Sequence, residues 1–316
     1  MKLVDFNQSH VESARLIVME NYCEEQKAVP CLPEIDMVPE LEYFAENGLG
    51  VAALEEDRLL GFLCWYKPWE NAFDSTAKGT FSPLHAHGTI KENRSMIYKR
   101  MYQYAAEKWV KQMVTYHGIT LYAHDAEALD TFFTYGFGMR CMDAIRPMTV
   151  VDCKTCEGIR FGELAKDEVS QVRELRKQLS EHLGASPCFM YATEEEFLSW
   201  LKRAEGRDSR LFVAKDGEKT VAFIEVTSDG ENFATGSETM RNICGAYCLP
   251  EYRGKDICQN LLNDVIRKLA AEGYTRLGVD FESFNPTAYG FWMKSFTAYT
   301  KSVVRRIDEG ALRGYE

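Results

Sequence analysis

The sequence lacks any long apolar segment. No run of apolar residues approaches the roughly 20 residues that a helix needs to cross a bilayer. The chain begins Met1-Lys2-Leu3-Val4-Asp5-Phe6, with polar residues directly after it. This start contains no apolar signal core. The sequence therefore predicts a cytoplasmic protein without a membrane partner.

Basic residues are fewer than acidic ones. The 316 residues include 37 Lys and Arg against 48 Asp and Glu, which gives a formal net charge of −11. Because nucleic-acid binding depends on clustered positive charge, we expect no nucleic-acid partner. The negative charge favours cationic small molecules, such as amines, as substrates.

The cysteines form no disulfide framework, because their spacing is irregular. The ten are Cys23, Cys31, Cys64, Cys141, Cys153, Cys156, Cys188, Cys244, Cys248 and Cys258. We expect reduced thiols that are mostly buried. Cys153 and Cys156 form a CxxC pair, and His85 and His87 alternate along a predicted strand, but neither pair has the further ligands of a metal site. The sequence predicts no metal centre, with a zinc or redox role for the CxxC pair as the less favoured alternative.

The chain is long enough for two cores, and it contains an internal repeat. Two domains of about 150 residues each are expected from its length. Three landmarks occur twice, about 160 residues apart: a strand with a following helix, a strand-turn-strand segment, and an aromatic segment before a closing strand. They are 2–18, 50–66 and 132–145 in the first copy, and 159–179, 211–226 and 291–307 in the second.

The repeat predicts a duplicated domain. One copy is placed at residues 1–150 and the other at 157–316, with the polar segment 152–158 between them. The alternative is one large mixed α/β domain. We favour two domains because each half supplies a similar ordered set of elements.

The segment 242–285 carries the most specific chemical pattern. A predicted strand ends at Pro250, and a turn at 253–258 leads into a helix and a second strand at 277–281. A turn at a helix N-terminus presents unpaired N–H groups and the positive end of the helix dipole, which together bind anions such as a diphosphate. Arg253 and Lys255 add positive charge, and Gly254 lets a ligand approach the backbone closely.

This segment resembles the GNAT superfamily of acyl-CoA N-acyltransferases. The hallmark of that family is a strand ending near Pro, followed by Arg-x-x-Gly-x-Gly or Ala. The chain reads Pro250-Glu251-Tyr252-Arg253-Gly254-Lys255-Asp256-Ile257-Cys258, with Asp and Cys at the last two small-residue positions. A second part of the resemblance is Asn285-Pro286-Thr287-Ala288-Tyr289-Gly290-Phe291-Trp292. There Asn285 matches a residue that contacts the cofactor, and Trp292 replaces a tyrosine that often acts as a general acid.

The resemblance implies a fold and an activity. The fold class is α/β (α+β), with two tandem GNAT-like domains, each a mixed, mostly antiparallel sheet flanked by helices. The implied activity is an N-acetyltransferase that transfers an acetyl group from acetyl-CoA to the amine of a small molecule, by direct attack in a ternary complex. The cofactor-binding residues that it implies are Tyr247, Cys248, Leu249, Arg253, Gly254, Lys255, Asp256, Ile257, Cys258 and Asn285.

The resemblance also implies how the cofactor is held. The strand at 247–249 splays from its parallel neighbour at 277–281, so that a pantetheine arm lies in the gap. A backbone N–H near Cys248 or Leu249 then stabilises the oxyanion.

No catalytic base is matched cleanly. Glu225 on the preceding strand and Glu282 at the end of the following strand are candidate bases by position, and Tyr289 is a candidate acid. The alternative for each is an ordinary surface position. Cys248 is interpreted as a buried strand cysteine, because no histidine lies near it in sequence to activate it as a nucleophile.

The first copy is more degenerate. Its corresponding turn, 87–96, contains Lys91 and Arg94 but lacks the glycines. We therefore predict a structural or acceptor-shaping role for it, with a second active site as the less favoured alternative. The aromatic segment 183–200 either lines an acceptor pocket or packs as an ordinary helix.

A different class of function stays open. The alternative is a non-catalytic acyl-CoA-binding or interaction protein with a degenerate GNAT fold. The sequence is compatible with a monomer or a homodimer, and it fixes neither the acceptor nor the acyl chain length.

Overall fold

The computed structural model describes residues 1–314, apart from the side chain of residue 74. The strands are β1 (Lys2–Asp5), β2 (Gly50–Glu55), β3 (Arg58–Cys64), β4 (Gly79–Ser82), β5 (His87–Thr89), β6 (Tyr116–Tyr122), β7 (Gly138–Pro147), β8 (Ile159–Glu163), β9 (Ser209–Asp216), β10 (Lys219–Thr227), β11 (Met240–Cys248), β12 (Arg276–Glu282), β13 (Thr297–Ala298) and β14 (Thr300–Arg306). The α-helices are α1 (Val11–Ala28), α2 (Glu42–Glu46), α3 (Arg94–Lys111), α4 (Ala126–Thr134), α5 (Arg173–Gly184), α6 (Glu194–Glu205), α7 (Ile257–Ala271) and α8 (Pro286–Trp292). Within residues 1–314 no helix is long and apolar enough to cross a membrane.

The chain divides into two compact units. Unit 1 comprises Met1–Met142 together with Ala298–Glu316, and unit 2 comprises Asp143–Thr297. This division differs from the predicted domains at 1–150 and 157–316. The C-terminal residues belong to the first unit, because β14 pairs along its whole length with β6 and also pairs with the start of β7.

Unit 1 contains two sheets. Strands β1, β2, β3 and β5 form an antiparallel sheet in that order. A second sheet has β6 parallel to β4 on one side and antiparallel to β14 on the other. Helix α3 packs against the first sheet through an apolar face that includes Ile97, Met101 and Ala105, all buried.

Buried histidines in unit 1 have structural partners. The Nε2 of His87 donates to the Thr120 carbonyl at 2.7 Å, and its Nδ1 accepts from the Tyr98 hydroxyl at 3.0 Å. Burial lowers the pKa of His87 to about 4, so the ring is neutral near pH 7. This residue therefore links β5 to β6 as a neutral hydrogen-bonding group.

Unit 2 contains a sheet with strand order β12-β11-β10-β9-β8. All neighbours are antiparallel except β11 and β12, which are parallel. Helix α7 connects these two strands and buries the apolar positions that its sequence period predicts, Leu261, Leu262, Val265, Ile266 and Leu269. The predicted fold class, mixed sheets flanked by helices, is confirmed.

The internal repeat is visible in both units. The tight hairpin β2–β3 corresponds to β9–β10, and the helices α3 and α7 each begin after a left-handed residue, Asn93 at φ 59° and Asp256 at φ 57°. The short helices α4 and α8 are likewise capped by the side chains of Asp125 and Asn285. Of these shared geometries, the hairpin is one of the landmarks of the sequence repeat, and the helix starts and helix caps are additional to those landmarks.

Candidate active site

The parallel strands β11 and β12 separate part of the way along their length. They pair only from Met240–Ile243 with Arg276–Val279, although both strands continue beyond these residues. On the other side of β11, Glu225 pairs with Gly245 and Val226 with Ile243, so Cys244 is an extra residue in a β-bulge. A bulge bends its strand. The bend falls where the pairing ends, and it opens a gap between β11 and β12 at the predicted place.

Main-chain N–H groups are available for hydrogen bonding at the turn beyond this gap. No N–H group from Gly254 to Gln259 donates a hydrogen bond to another group in the described part of the chain. Gly254 has φ +72° and Asp256 has φ 57°, and these left-handed residues turn the backbone just before α7 begins. Consecutive free N–H groups at a helix N-terminus form an anion-binding surface.

The side chain of Asp256 does not fill this surface. Its Oδ2 accepts a hydrogen bond from the N–H of Lys154 at 3.3 Å, and it makes no capping bond to its own helix. The same segment is held by Asn260, whose Nδ2 donates to the Lys154 carbonyl at 2.7 Å, and by the Cys156 thiol, which contacts the Lys255 carbonyl at 3.2 Å. Segment 151–156 therefore keeps the one carboxylate of the turn away from its free amides.

A cavity of about 450 Å³ lies next to the turn, entirely within unit 2. Of the predicted cofactor-binding residues, all except Leu249 and Lys255 line it. The lining residues that were not among the predicted cofactor-binding residues are Leu179, His182, Ile224, Ala246, Tyr252, Gln259, Thr287, Ala288, Gly290, Phe291, Trp292 and Lys294. Leu179 and His182 come from α5, so this helix, rather than the aromatic segment 183–200, supplies the lining upstream of β9.

Two thiols lie together in the cavity lining. A hydrogen bond between them lowers the pKa of Cys248, with the charge of Arg253 also lowering it and burial opposing the change. The same bond raises the pKa of Cys258. Arg253 also donates from Nε to the Cys248 carbonyl at 2.9 Å, and its guanidinium lies 5.2 Å from the centre of the Tyr247 ring. The arginine therefore fixes the end of β11 against the turn.

The hydrogen bonding of β11 shows which of the two expected oxyanion donors is available to a ligand. The N–H of Leu249 donates to the Val221 carbonyl at 3.0 Å, so it is already used. Because N–H groups alternate in direction along a strand, Ala246 and Cys248 direct theirs away from β10 and toward the gap. Of the two residues named from the sequence, only Cys248 keeps a donor for a ligand.

The structure places Glu225 away from the cavity lining. It is buried, and its Oε2 accepts from Arg176 Nη2 at 2.8 Å, with side-chain exposures of 3% and 1%. Its Oε1 accepts from the Ser209 hydroxyl at 2.6 Å. Both carboxylate oxygens are thus bonded to protein donors, so this geometry favours a structural role for Glu225 over that of a base.

The other two catalytic candidates also lie outside the cavity lining. Glu282 is half-buried at the end of β12, and its carbonyl accepts from the Asn285 N–H. Tyr289 is 45% exposed, with its ring at an edge-on angle to Phe281. Trp292, in contrast, is buried and lines the cavity.

A group of carboxylates in unit 2 was missed by the sequence reasoning. Burial raises the pKa of Asp280 well above its usual range, and the nearby charges of Glu231, Asp143 and Glu282 raise it further. Burial also raises the pKa of Glu231. Asp280 is the first residue of β12 after its pairing with β11 ends. No group of three or more acidic, His or Cys residues within 1–314 is arranged to hold a metal ion.

The corresponding turn of unit 1 is closed by protein groups. The N–H of Ser95, in the first turn of α3, contacts Glu127 Oε2 at 3.4 Å. Arg94 is 8% exposed, and its Nη1 pairs with Glu24 at 2.8 Å and with Asp125 at 3.2 Å. These carboxylates occupy the positive helix end and neutralise the arginine, so this turn is unsuited to a diphosphate.

The residues of the unit 2 cavity fit an acyl-CoA. The free main-chain N–H groups of 254–259 can donate hydrogen bonds to the oxygens of a diphosphate. The cations Arg253 and Lys255 complement its negative charge. The Nε2 of Gln259, which also lines the cavity, is buried without a hydrogen-bond partner. A buried donor of this kind costs free energy unless a ligand satisfies it. The gap between β11 and β12 supplies space for an extended arm beside unpaired strand groups.

The splayed parallel strands and the open turn thus define an α/β domain with an anion-binding turn beside a cleft. Residues 174–296, all in unit 2, match the family model described as the acetyltransferase (GNAT) family. This segment of unit 2 is therefore similar to a GNAT-family domain.

One solved structure shows the same fold, and a second is less similar. A GCN5-related N-acetyltransferase from Sphaerobacter thermophilus is similar over 96% of this chain and 95% of its own, at 12% sequence identity and a TM-score of 0.60. A GNAT-family acetyltransferase from Colwellia psychrerythraea aligns over 98% of this chain and 100% of its own, at 12% identity and a TM-score of 0.48. No curated protein matches the sequence.

Proposed function

We propose that the protein is an N-acetyltransferase that transfers the acetyl group of acetyl-CoA to the amine of a small molecule. The observation that carries this proposal is the set of free main-chain N–H groups at 254–259, next to the gap between β11 and β12. The match of residues 174–296 to the GNAT family supports it. Unit 2 is the part that binds the cofactor, and unit 1 serves as a structural or acceptor-shaping part.

Each feature of the cavity has a defined task in this proposal. The amides of the turn, with Arg253, bind the diphosphate, and Asn285 contacts the cofactor from the start of α8. Bound acetyl-CoA supplies a thioester whose carbonyl carbon is open to attack. The N–H of Cys248 or Ala246 stabilises the negative charge that develops on the carbonyl oxygen.

The acceptor is proposed to be a cationic amine. Burial raises the pKa of Asp280, and the carboxylates of Glu231, Asp143 and Glu282 are close enough to raise it further. A concentration of negative charge attracts a protonated amine and stabilises it near the sheet. The net charge of −11 acts in the same direction over longer distances.

The amine is proposed to attack the thioester directly, in a ternary complex. The competing route is a covalent acetyl-thiol at Cys248, since the pKa of this thiol is lowered. Cys248→Ser separates the two routes. Direct attack predicts that this variant keeps its turnover number within a few-fold and that mass spectrometry finds no acetyl adduct on the wild-type protein; a stable adduct on Cys248 would establish the covalent route.

Calorimetric titration with acetyl-CoA tests the cofactor assignment. We expect one molecule bound per chain, because the turn of unit 1 is closed by Glu127 and by the Arg94 ion pairs. Ser95→Gly, a change in the closed turn, is the matched control and leaves the affinity unchanged. Failure of wild-type protein to bind acetyl-CoA contradicts the proposal.

Release of CoA thiol with a panel of small primary amines tests transfer. Binding of acetyl-CoA without thiol release would instead identify the alternative, a non-catalytic acyl-CoA-binding protein. Detection of the acetylated amine in the same reaction completes the assignment.

A further inference from the structure

His182 on α5 reaches across the gap between β11 and β12. Its Nε2 lies 3.0 Å from the Thr287 hydroxyl and 3.4 Å from Asn285 Oδ1, both at the start of α8. Its ring centre is 6.3 Å from that of Tyr247 on β11. All four residues line the cavity. A molecule that occupies the gap therefore lies against this imidazole.

The hydrogen bonds fix the tautomer of His182. The Thr287 hydroxyl donates to Asn285 Oδ1 at 2.7 Å, so its oxygen can only accept a bond from the histidine. Asn285 Oδ1 is an acceptor as well, since it also receives the N–H groups of Thr287 and Ala288. The proton of the neutral ring is therefore on Nε2. Nδ1 is then a lone-pair acceptor with no hydrogen bond to another described group.

Aminolysis of a thioester needs a proton carrier. The amine nitrogen must lose a proton after it bonds to the carbonyl carbon, and the departing sulfur must gain one. Among the side chains that line the cavity, imidazole is the type whose ordinary pKa lies near neutral pH. Tyr247 is less suited, because burial raises the pKa of its hydroxyl.

We propose that His182 is the catalytic proton-transfer residue of this cavity, held in the Nε2–H tautomer by Thr287 and Asn285; this inference rests on the proposed function. The protonated amine first releases one proton to solvent. The neutral amine nitrogen then bonds to the carbonyl carbon, and Nδ1 accepts the second proton that this nitrogen loses. The carbon–sulfur bond then breaks, and its electron pair goes to sulfur. The imidazolium returns the same proton to sulfur, which gives free CoA thiol, the amide and neutral His182.

Charged groups of both signs lie around His182. Glu181 is its neighbour on α5, and Arg253 and Lys294 line the cavity from the turn and from the end of α8. Cys248, Cys258, Tyr247 and Tyr252 complete the titratable groups of the lining, together with Asp256, whose carboxylate is bonded to Lys154. Both signs of charge are thus present around a ring that must gain and lose a proton.

His182→Gln tests the proposal, since glutamine can still donate to Thr287 but cannot carry a proton. The reactions are acetyl transfer to the amine panel and hydrolysis of acetyl-CoA by water, which needs no acceptor. We expect the turnover number to fall about 100-fold or more in both, with the acetyl-CoA Kd unchanged within about three-fold. Lys177→Ala, an exposed change on the same helix, is the control and leaves both quantities unchanged.

Two further measurements separate catalysis from packing. The wild-type turnover number should rise with pH through one ionisation that His182→Gln lacks. Long-range proton–nitrogen NMR of the imidazole should show the Nε2–H tautomer, and Thr287→Val should weaken this preference and reduce turnover about 10-fold.

The outcomes are distinct. Full turnover by His182→Gln, or a loss of turnover matched by a loss of acetyl-CoA binding, overturns the role of His182 while the transferase assignment stands. A dominant Nδ1–H tautomer in the wild-type protein also overturns it. Wild-type protein that fails to bind acetyl-CoA, or that binds it without transfer to amines or water, overturns the transferase assignment and this inference together.

Discussion

The carboxylate of Asp256 accepts a hydrogen bond from the main-chain N–H of Lys154, at 3.3 Å. This contact joins the turn before α7 to a segment 102 positions earlier in the chain. It directs a negative charge away from the amides that are proposed to bind a diphosphate. The acidic residue at position 256 is therefore compatible with an anion site.

The conformation of Asp256 predicts an order of stabilities at this position. Its φ of 57° is accessible to Gly and tolerated by Asn, but it costs alanine about 1 kcal/mol. We expect Asp256→Ala to lower the free energy of unfolding by about that amount and Asp256→Asn to be closer to wild type, as measured by urea denaturation. Equal stability of the Ala and Asn variants would contradict the left-handed assignment.

Arg253 and Lys255 provide a matched pair of cations in the turn. Arg253 lines the cavity and is anchored on the Cys248 carbonyl, whereas Lys255 is exposed and outside the lining. A charge-assisted hydrogen bond contributes about 1.5–3 kcal/mol. We therefore expect Arg253→Ala to weaken acetyl-CoA binding about 10- to 100-fold and Lys255→Ala to weaken it by less than 10-fold, by calorimetry. Equal effects would indicate a diffuse electrostatic contribution.

The role of the buried ion pair between Glu225 and Arg176 can be tested by removing one charge and then both charges. Glu225→Gln leaves a buried guanidinium without its countercharge, and it should lower the free energy of unfolding by about 3 kcal/mol. The double change Arg176→Met with Glu225→Leu removes both charges and should recover most of that loss. If the double variant is folded but turns over at less than one hundredth of the wild-type rate, Glu225 has the catalytic role that its sequence position indicated.

The ion pairs of Glu163 predict that the free energy of unfolding depends on pH. Hydrogen bonds from Arg210 and Lys268 lower its pKa to about 2, so it joins β8 to β9 and to α7. A carboxyl with a depressed folded-state pKa stabilises the fold above its unfolded pKa of about 4.3, and this contribution disappears as the pH falls toward 2. We expect Glu163→Gln to cost about 2 kcal/mol at pH 7 and progressively less below pH 4.5. A cost that is independent of pH would assign the effect to packing.

The sequence was most informative where local pattern decides structure. The proline, the turn 253–258 and the apolar period of α7 are all local, and most of the predicted cofactor-binding residues line one cavity. The antiparallel hairpins and the capped short helices were also predictable, because their signals lie within a few residues.

Pairings over long sequence distances were not predictable. Nothing near Glu225 indicates Arg176, which is 49 positions away, and nothing near His182 indicates Thr287, which is 105 positions away. The strand at 300–306 has the same alternating pattern whichever sheet receives it, so the pattern could not assign it to unit 1. The group around Asp280 was missed for the same reason, since its members come from separate elements.

The placement of β14 has a consequence for how the protein is made. Unit 1 has an exposed strand edge on β6 until residues 300–306 leave the ribosome, after the whole of unit 2 has been synthesised. During this interval the nascent chain carries an open hydrogen-bonding edge, which is a template for misassembly. Cutting the gene between the two units would make this defect permanent, and expression of the N-terminal fragment would require the last strand to be supplied as a separate peptide.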